Sequence, residues 1–415
     1  MRFRRNLTGV AALAASLALV AGACGSDDDG GAADTTAAAA ETTAAGADTT
    51  AAGADTTAAG GDTTAPAATG ECQPGTGTVE PIATAEADGA GKTVGLLFDV
   101  TGRGDKSFND GAAAGMDKAA EDFGITTEES EPTAQDGSDR PERIAGFVGD
   151  DLIVSVGFLW GDATTASAAE NPDQLYAIID SVVNVPAPDP PTSDPPTLAP
   201  NVRSMVFAEQ EGSFLVGAAA ACASPTGKLG FIGGVENDLI KKFEAGYVAG
   251  AQAVNPDATV EVQYITQPPD FTGFNDPAKG KAIATAMYDS GIDVIYAAAG
   301  GSGDGLFEAA LESGKEPGEI YAIGVDSDQY ESVAPEVQPY ILTSALKRVD
   351  VATYEAITDM LNGELKGEIK EYNAANNGVG YAISNEAINQ YAGTLEELKA
   401  QIIDGTIEVP TTPGG

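Results

Sequence analysis

The chain has 415 residues, with 63 Asp and Glu against 21 Lys and Arg, a formal net charge of −42, and no histidine. That acidity argues against nucleic acid or an anionic membrane surface as partner, and against a heavily phosphorylated ligand. The missing histidine removes the commonest general base and weighs against an enzyme.

The opening "MRFRRNLTGVAALAASLALVAGAC" places three arginines before an apolar run, Leu7 to Ala23, and then Cys24. This pattern is an export signal, too short in its apolar part for a membrane span. Ala21-Gly22-Ala23-Cys24 resembles a bacterial lipoprotein cleavage box in which Cys24 becomes the lipidated first residue, although Ala21 stands where such boxes prefer leucine. Ordinary cleavage after the small residues is the alternative. Residues 24–88 then repeat "ADTTAAG" with almost no large apolar side chain. Such a stretch buries too little surface to offset the entropy of ordering, so it reads as a tether. Of the other cysteines, Cys72 and Cys222, an oxidising exported compartment predicts one disulfide, with two free thiols as the alternative.

The body, from about Gly91 to Thr406, alternates strand-like and helix-like runs. Strands are predicted at 93–100, 152–160, 175–180, 202–207, 228–234, 259–265, 293–300, 319–326 and 340–347. Most are continuously apolar, as strands buried on both faces of a parallel sheet are. Amphipathic stretches between them, such as "FNDGAAAGMDKAAEDFG" and "LIKKFEAGYVAGAQAV", predict helices. "DPAKGK" is a helix start, with Asp276 as cap and Pro277 in the first turn. The insert 186–200, "PAPDPPTSDPPTLAP", is a stiff surface loop. The whole is an α/β fold of two doubly wound lobes.

Ligands of open parallel sheets sit beyond the carboxyl ends of the strands. The residues stationed there are Asp99, Phe108 and Asn109, Trp160 and Asp162, Gly300 and Gly301, Asp326 and Lys347. Carboxylates, an amide, aromatics and bare glycine backbone suit a flat, hydroxyl-rich, uncharged ligand. "GRGDKSFND" imitates a phosphate loop, but Asp105 takes the place of the glycine before the lysine and puts a carboxylate where the phosphate belongs. "AAAGGSGDGLFEAA" fails as a dinucleotide fingerprint because Leu306 replaces its last glycine. No cluster of cysteines offers zinc ligands, and a calcium-dependent nucleoside hydrolase needs more aspartates than Asp99 and Asp105 near the first strand.

The segments "VGLLFDVTGRGDKSFND", "VSVGFLWGDA", "EGSFLVGAAAACASPTGKLGFIGG", "FNDPAKGKAIA", "VIYAAAGGSGDG", "AIGVDSDQ" and "LTSALKRVDVATYEAI", in this order over about residues 92–360, resemble the basic membrane protein family. These are substrate-binding lipoproteins of ABC importers, similar to the purine nucleoside receptors of bacteria. The resemblance implies a type I periplasmic-binding-protein fold, two Rossmann-like lobes joined by three crossing segments. Lobe one is expected at 89–206 plus 327–346 and lobe two at 207–326 plus 347–415. It implies a nucleoside sandwiched by Phe108 and Phe274, base contacts from Asn109 and Asp162, ribose contacts from Asp326 and Lys347, and walls from Asp99, Gly300 and Gly301. Trp160 departs from the smaller residue of many relatives and is expected to reshape the base pocket. The implied protein is a monomer without cofactor or catalytic residues. It sits on the extracytoplasmic face of the cell membrane by its lipid alone and serves a permease and an ATPase. A sugar or autoinducer-like ligand, or a signalling role, is the alternative on the same fold. Growth with a labelled fatty acid is expected to tag the protein and Cys24→Ala to abolish the tag; a mature chain lacking Cys24 contradicts the anchor.

Overall fold

A computed structural model describes residues 71–134, 136–185 and 196–414. The leader with Cys24, the tether up to residue 70 and most of the proline-rich insert lie outside the described residues.

The strands form where apolar runs are bounded by Gly, Asp and Pro. The first half contains β1 (Thr93–Leu97), α1 (Phe108–Phe123), β2 (Thr126–Ser130), α2 (Arg140–Ala145), β3 (Leu152–Ser155), α3 (Gly161–Glu170), β4 (Tyr176–Ile179) and β5 (Val202–Phe207). The second contains α4 (Glu209–Ala223), β6 (Lys228–Val235), α5 (Asp238–Val254), β7 (Thr259–Thr266), α6 (Pro277–Asp289), β8 (Val294–Ala298), α7 (Asp304–Glu312), β9 (Tyr321–Asp326) and β10 (Ile341–Lys347). The chain ends through α8 (Val349–Leu361), β11 (Glu368–Tyr372), β12 (Val379–Tyr381) and α9 (Ala392–Ile403).

These strands make two six-stranded sheets, in the orders β11-β5-β4-β3-β1-β2 and β12-β10-β9-β8-β6-β7. Every pair is parallel except β10 with β12. The two orders repeat one topology over five strands, and the sixth is parallel in the first sheet and antiparallel in the second. β3, β4, β8 and β9 are buried at every position, which is why their sequences are apolar without alternation. The cap expected at Asp276 is present, accepting the Lys279 N–H at 3.0 Å with Pro277 in the first turn. α4 and α5 pack so closely that a Cβ on Gly250 would run into the Phe214 carbonyl.

The chain passes between the lobes at Ala208, at Arg348 and through 373–378. The second and third passages correct the expected lobe limits. Residues 327–346 carry most of β10, which is buried throughout and pairs with β9 and β12, so they belong to the second lobe. Residues 349–372 return to the first lobe, where α8 packs on α1 and β11 pairs with β5. A strand apolar on both faces needs neighbours on both sides, and only the second sheet supplies them.

Residues 71–88, expected as the end of the tether, lie instead with 89–92 as a strap across both lobes, because the disulfide and backbone hydrogen bonds hold them. Cys72 is disulfide-bonded to Cys222 of α4. Gln73 accepts the Gly393 N–H at 3.0 Å, the Glu80 carbonyl accepts from Arg348 at 2.7 Å, and the Ala85 N–H donates to the Tyr354 hydroxyl at 3.1 Å. The strap thus starts on the second lobe and ends on the first. The bridge closes a 150-residue separation. Replacing both cysteines by serine is expected to lower stability by roughly 4–5 kcal/mol on chain-entropy grounds. Urea denaturation of the oxidised protein against the double variant measures this.

Candidate functional site

The carboxyl ends of β1, β4, β8, β9 and β10 converge on one cavity between the sheets. Its empty space, open mouth included, is about 570 Å³. Of the residues expected at the site, Asp99, Phe108, Asn109, Phe274, Gly300, Asp326 and Lys347 line it, with Thr101, Asp105, Phe158, Asp180 and Phe243 beside them. Phe108 comes from the first turn of α1 and Phe274 from a turn after β7, so the two part-buried rings belong to opposite lobes.

Lys347, the last residue of β10, is 4% exposed. Its Nζ lies 2.6 Å from Asp180 and 3.2 Å from Glu209. It also stands 5.0 Å from the ring centres of Phe108 and Phe207 and 5.7 Å from that of Phe243. Burial works against its charge, but Asp180, Glu209 and Asp326 outweigh burial and raise its pKa. Three carboxylates share this one ammonium, and Glu209 is also held by Lys242 at 3.0 Å. Asp326 is the least well paired of them. Burial pushes its carboxyl up to about 7, against the pull of Lys347 and of the Ser107 hydroxyl, which donates to it at 2.5 Å. Asp99 is pushed up to about 6, again by burial, although Arg140 lies 3.3 Å away. Burial likewise raises Asp180, whose Oδ1 has no hydrogen-bond partner among the described residues.

Asn109 is held within its own loop. Its Oδ1 accepts the Asp99 N–H at 2.9 Å, and its amide donates to Thr101 Oγ1 at 2.6 Å and to Asp105 Oδ2 at 2.9 Å. Both its amide hydrogens are thus taken within the loop, although the residue lines the cavity as expected. The loop then reaches across the cleft: Lys106 Nζ meets Asp304 at 3.0 Å and Ser327 Oγ donates to the Lys106 carbonyl at 2.8 Å. Phe158 and Phe271 meet edge-to-face from opposite lobes, 5.9 Å between centres.

Three expected residues lie elsewhere. Trp160 is fully buried in the first lobe, with the Arg143 guanidinium 4.8 Å above its ring, so it shapes the lobe core and not the pocket. Its neighbour two places back, Phe158, takes the cavity position. Asp162 is exposed in the first turn of α3, where a carboxylate is favoured by the helix dipole. Gly301 sits outside the lining, on the seam, where a Cβ would come 3.7 Å from Thr101. Asp180 was missed, although a signal for it exists. "YAIIDS" at 176–181 repeats "YAIGVDS" at 321–327, and Asp180 and Asp326 both leave their strands with a left-handed φ of 64°.

The family profile described as "ABC transporter substrate-binding protein PnrA-like" matches residues 92–413. The "ABC transporter nucleoside-binding protein BmpA" of Lactococcus lactis is 36% identical over 329 residues, 76% of this chain and 88% of that protein. "Basic membrane protein A" of Borreliella burgdorferi is 34% identical over 325 residues, 77% and 87% of the two chains. The crystal structure of an ABC transporter solute-binding protein from Aeropyrum pernix superposes with a TM-score of 0.65 at 30% identity, covering 78% of this chain and 94% of that one.

The buried carboxyls carry a pH signature. A carboxyl whose pKa is raised by folding binds more protons folded than unfolded between about pH 4 and 7, so stability falls as pH rises through that window. Raised values for Asp326, near 7, and Asp99, near 6, set this sign. Carboxyls lowered by folding, such as Asp122 and Asp151, titrate below about pH 4 and leave the window untouched. The ligand-free protein is therefore expected to be more stable at pH 5 than at pH 7.5, by an amount on the order of 1 kcal/mol or more per raised group. Asp326→Asn should flatten the slope. Urea midpoints across pH at fixed ionic strength measure both.

Proposed function

Since the chain belongs to the PnrA-like family of ABC transporter substrate-binding proteins, we propose that it captures a purine-type nucleoside between its lobes and delivers it, unchanged, to a membrane permease driven by an ATPase. The observation that carries this reading is the pair of phenyl rings, Phe108 and Phe274, offered from opposite lobes to a cavity whose polar lining is mostly carboxylate. Rings offered from opposite lobes suit a flat heteroaromatic base, with stacking worth roughly 1–3 kcal/mol per base. Carboxylates accept from N–H and O–H groups, which a base and a ribose supply in number.

In this reading Asp326 and Lys347 hold the ribose hydroxyls. Asp99 and the bare backbone of Gly300 complete the walls. The free Oδ1 of Asp180 accepts from a donor on the base. No step of chemistry is involved in this reading. The lipid at Cys24 and the tether would keep the body at the extracytoplasmic face of the membrane, within reach of its permease. The name of the Lactococcus lactis relative supports the nucleoside, and the family supports the transporter partners.

Calorimetry with adenosine, guanosine, inosine and a free base tests the reading. Phe108→Ala or Phe274→Ala is expected to weaken every nucleoside roughly ten- to hundredfold. Asp326→Ala should cost roughly 1–3 kcal/mol for nucleosides and far less for the free base. The reading fails if no nucleoside binds while a sugar or peptide does, or if the ligand comes out chemically altered.

A further inference from the structure

We infer that Arg140, which does not line the cavity, is a positioning residue for ligand capture: seated against the Trp160 ring, it holds Asp99 as a carboxylate in the cavity wall. The inference takes its ligand from the nucleoside reading above; the state of Asp99 rests on the fold alone.

Asp99 stands just beyond β1, lines the cavity and is 7% exposed. A carboxyl so buried favours its neutral form unless a cation lies against it. Its Oδ1 accepts from Arg140 Nη2 at 3.3 Å. Its Oδ2 is covered by the backbone of Gly157, where a Cβ would come within 2.4 Å. The carboxyl is thus held between the start of α2 and the turn after β3. The other charged groups facing it are Arg143, also on α2, and Asp180, from the end of β4. Asp180 opposes the ionised form. Arg143 is engaged elsewhere: it donates to the Phe98 carbonyl and to Ser130 Oγ, each at 2.9 Å, and Asp139 lies 3.8 Å from it. Among the described residues, Arg140 is therefore the cation in contact with Asp99.

Arg140 is itself firmly placed. It is the first residue of α2, and its side chain is 12% exposed. Its guanidinium carbon lies 5.8 Å from the Trp160 ring centre, within reach of cation–π attraction. Gly137 turns over it with a left-handed φ of 70°, so closely that a Cβ there would overlap Nη1. Its Nε has no hydrogen-bond partner among the described residues, so the ring, the turn and Asp99 fix the group. Trp160, buried away from the cavity, thus acts on it through Arg140.

The test compares the whole protein with Arg140→Gln by calorimetry with adenosine, which has no group titrating between neutral and mildly alkaline pH. Circular dichroism checks folding. Near neutral pH the variant is expected to bind roughly tenfold more weakly, the size of one charge-assisted hydrogen bond. The gap should close as pH rises and Asp99 ionises without help. Asp326 also titrates near neutrality, but it is present in both proteins and cancels in their ratio. Arg140→Lys is expected to restore most of the affinity. No gap at neutral pH, a gap equal at every pH, or Arg140→Lys as weak as Arg140→Gln overturns the inference. Should Arg140→Gln not fold, Arg140→Met, which keeps an unbranched stem beside the ring, carries the same comparison. Should no nucleoside bind, the functional reading fails and this point is decided without ligand, by carbon-13 titration of the Asp99 carboxyl. A midpoint displaced upward by Arg140→Gln supports the inference, and an unmoved midpoint overturns it.

Discussion

The structure depends most on one buried ammonium. Moving an ion out of water costs several kcal/mol, and only close, well-placed counter-charges offset that. Lys347 has Asp180 from the end of β4, Glu209 from the start of α4 and Asp326 from the end of β9, inside a shell of three phenyl rings. These groups come from both sheets. They also flank two passages between the lobes, since Glu209 follows the first at Ala208 and Lys347 precedes the second at Arg348. The electrostatic centre of the cavity and the hinge are therefore one assembly. Removing the lysine would leave Asp180 buried without its partner, a change of roughly 3–5 kcal/mol.

The contacts that bring the lobes together at the cleft edge are weak by comparison. Lys106 and Asp304 are 39% and 32% exposed, and an ion pair so placed is worth about 0–1 kcal/mol. The two serine hydroxyl bonds and the Phe158–Phe271 contact add little more. The strap ties the two lobes on a different scale, through its disulfide to α4 and its hydrogen bonds to α8, α9 and Arg348.

Much of this was legible in the residues. Each of the nine runs became a strand: burial on both faces leaves an unbroken apolar signature in most of them, while the edge strand β7 showed by alternation. β2, β11 and β12 escaped notice because they are short edge strands; β2 and β11 are largely exposed, and edge pairing leaves little mark on composition. Strand ends led to Asp99, Phe108, Asp326 and Lys347, since chemistry in parallel sheets gathers there. They misled at Trp160 and Asp162, because after β3 the chain makes a tight turn and a difference of two residues decides between cavity and core. The partners of a buried lysine are set by three-dimensional approach, and Asp180 and Glu209 lie 167 and 138 positions away from Lys347 in the chain. Lobe limits failed for a related reason: sheet membership follows from which neighbour covers a strand, and sequence order does not encode it.

The central claim is that the cavity holds an unmodified nucleoside. Mass spectrometry of the small molecules released by denaturing protein purified without added ligand tests it most directly. The account predicts the mass of a purine nucleoside, at up to one per chain. A sugar, a peptide or a nucleotide released in that amount contradicts it.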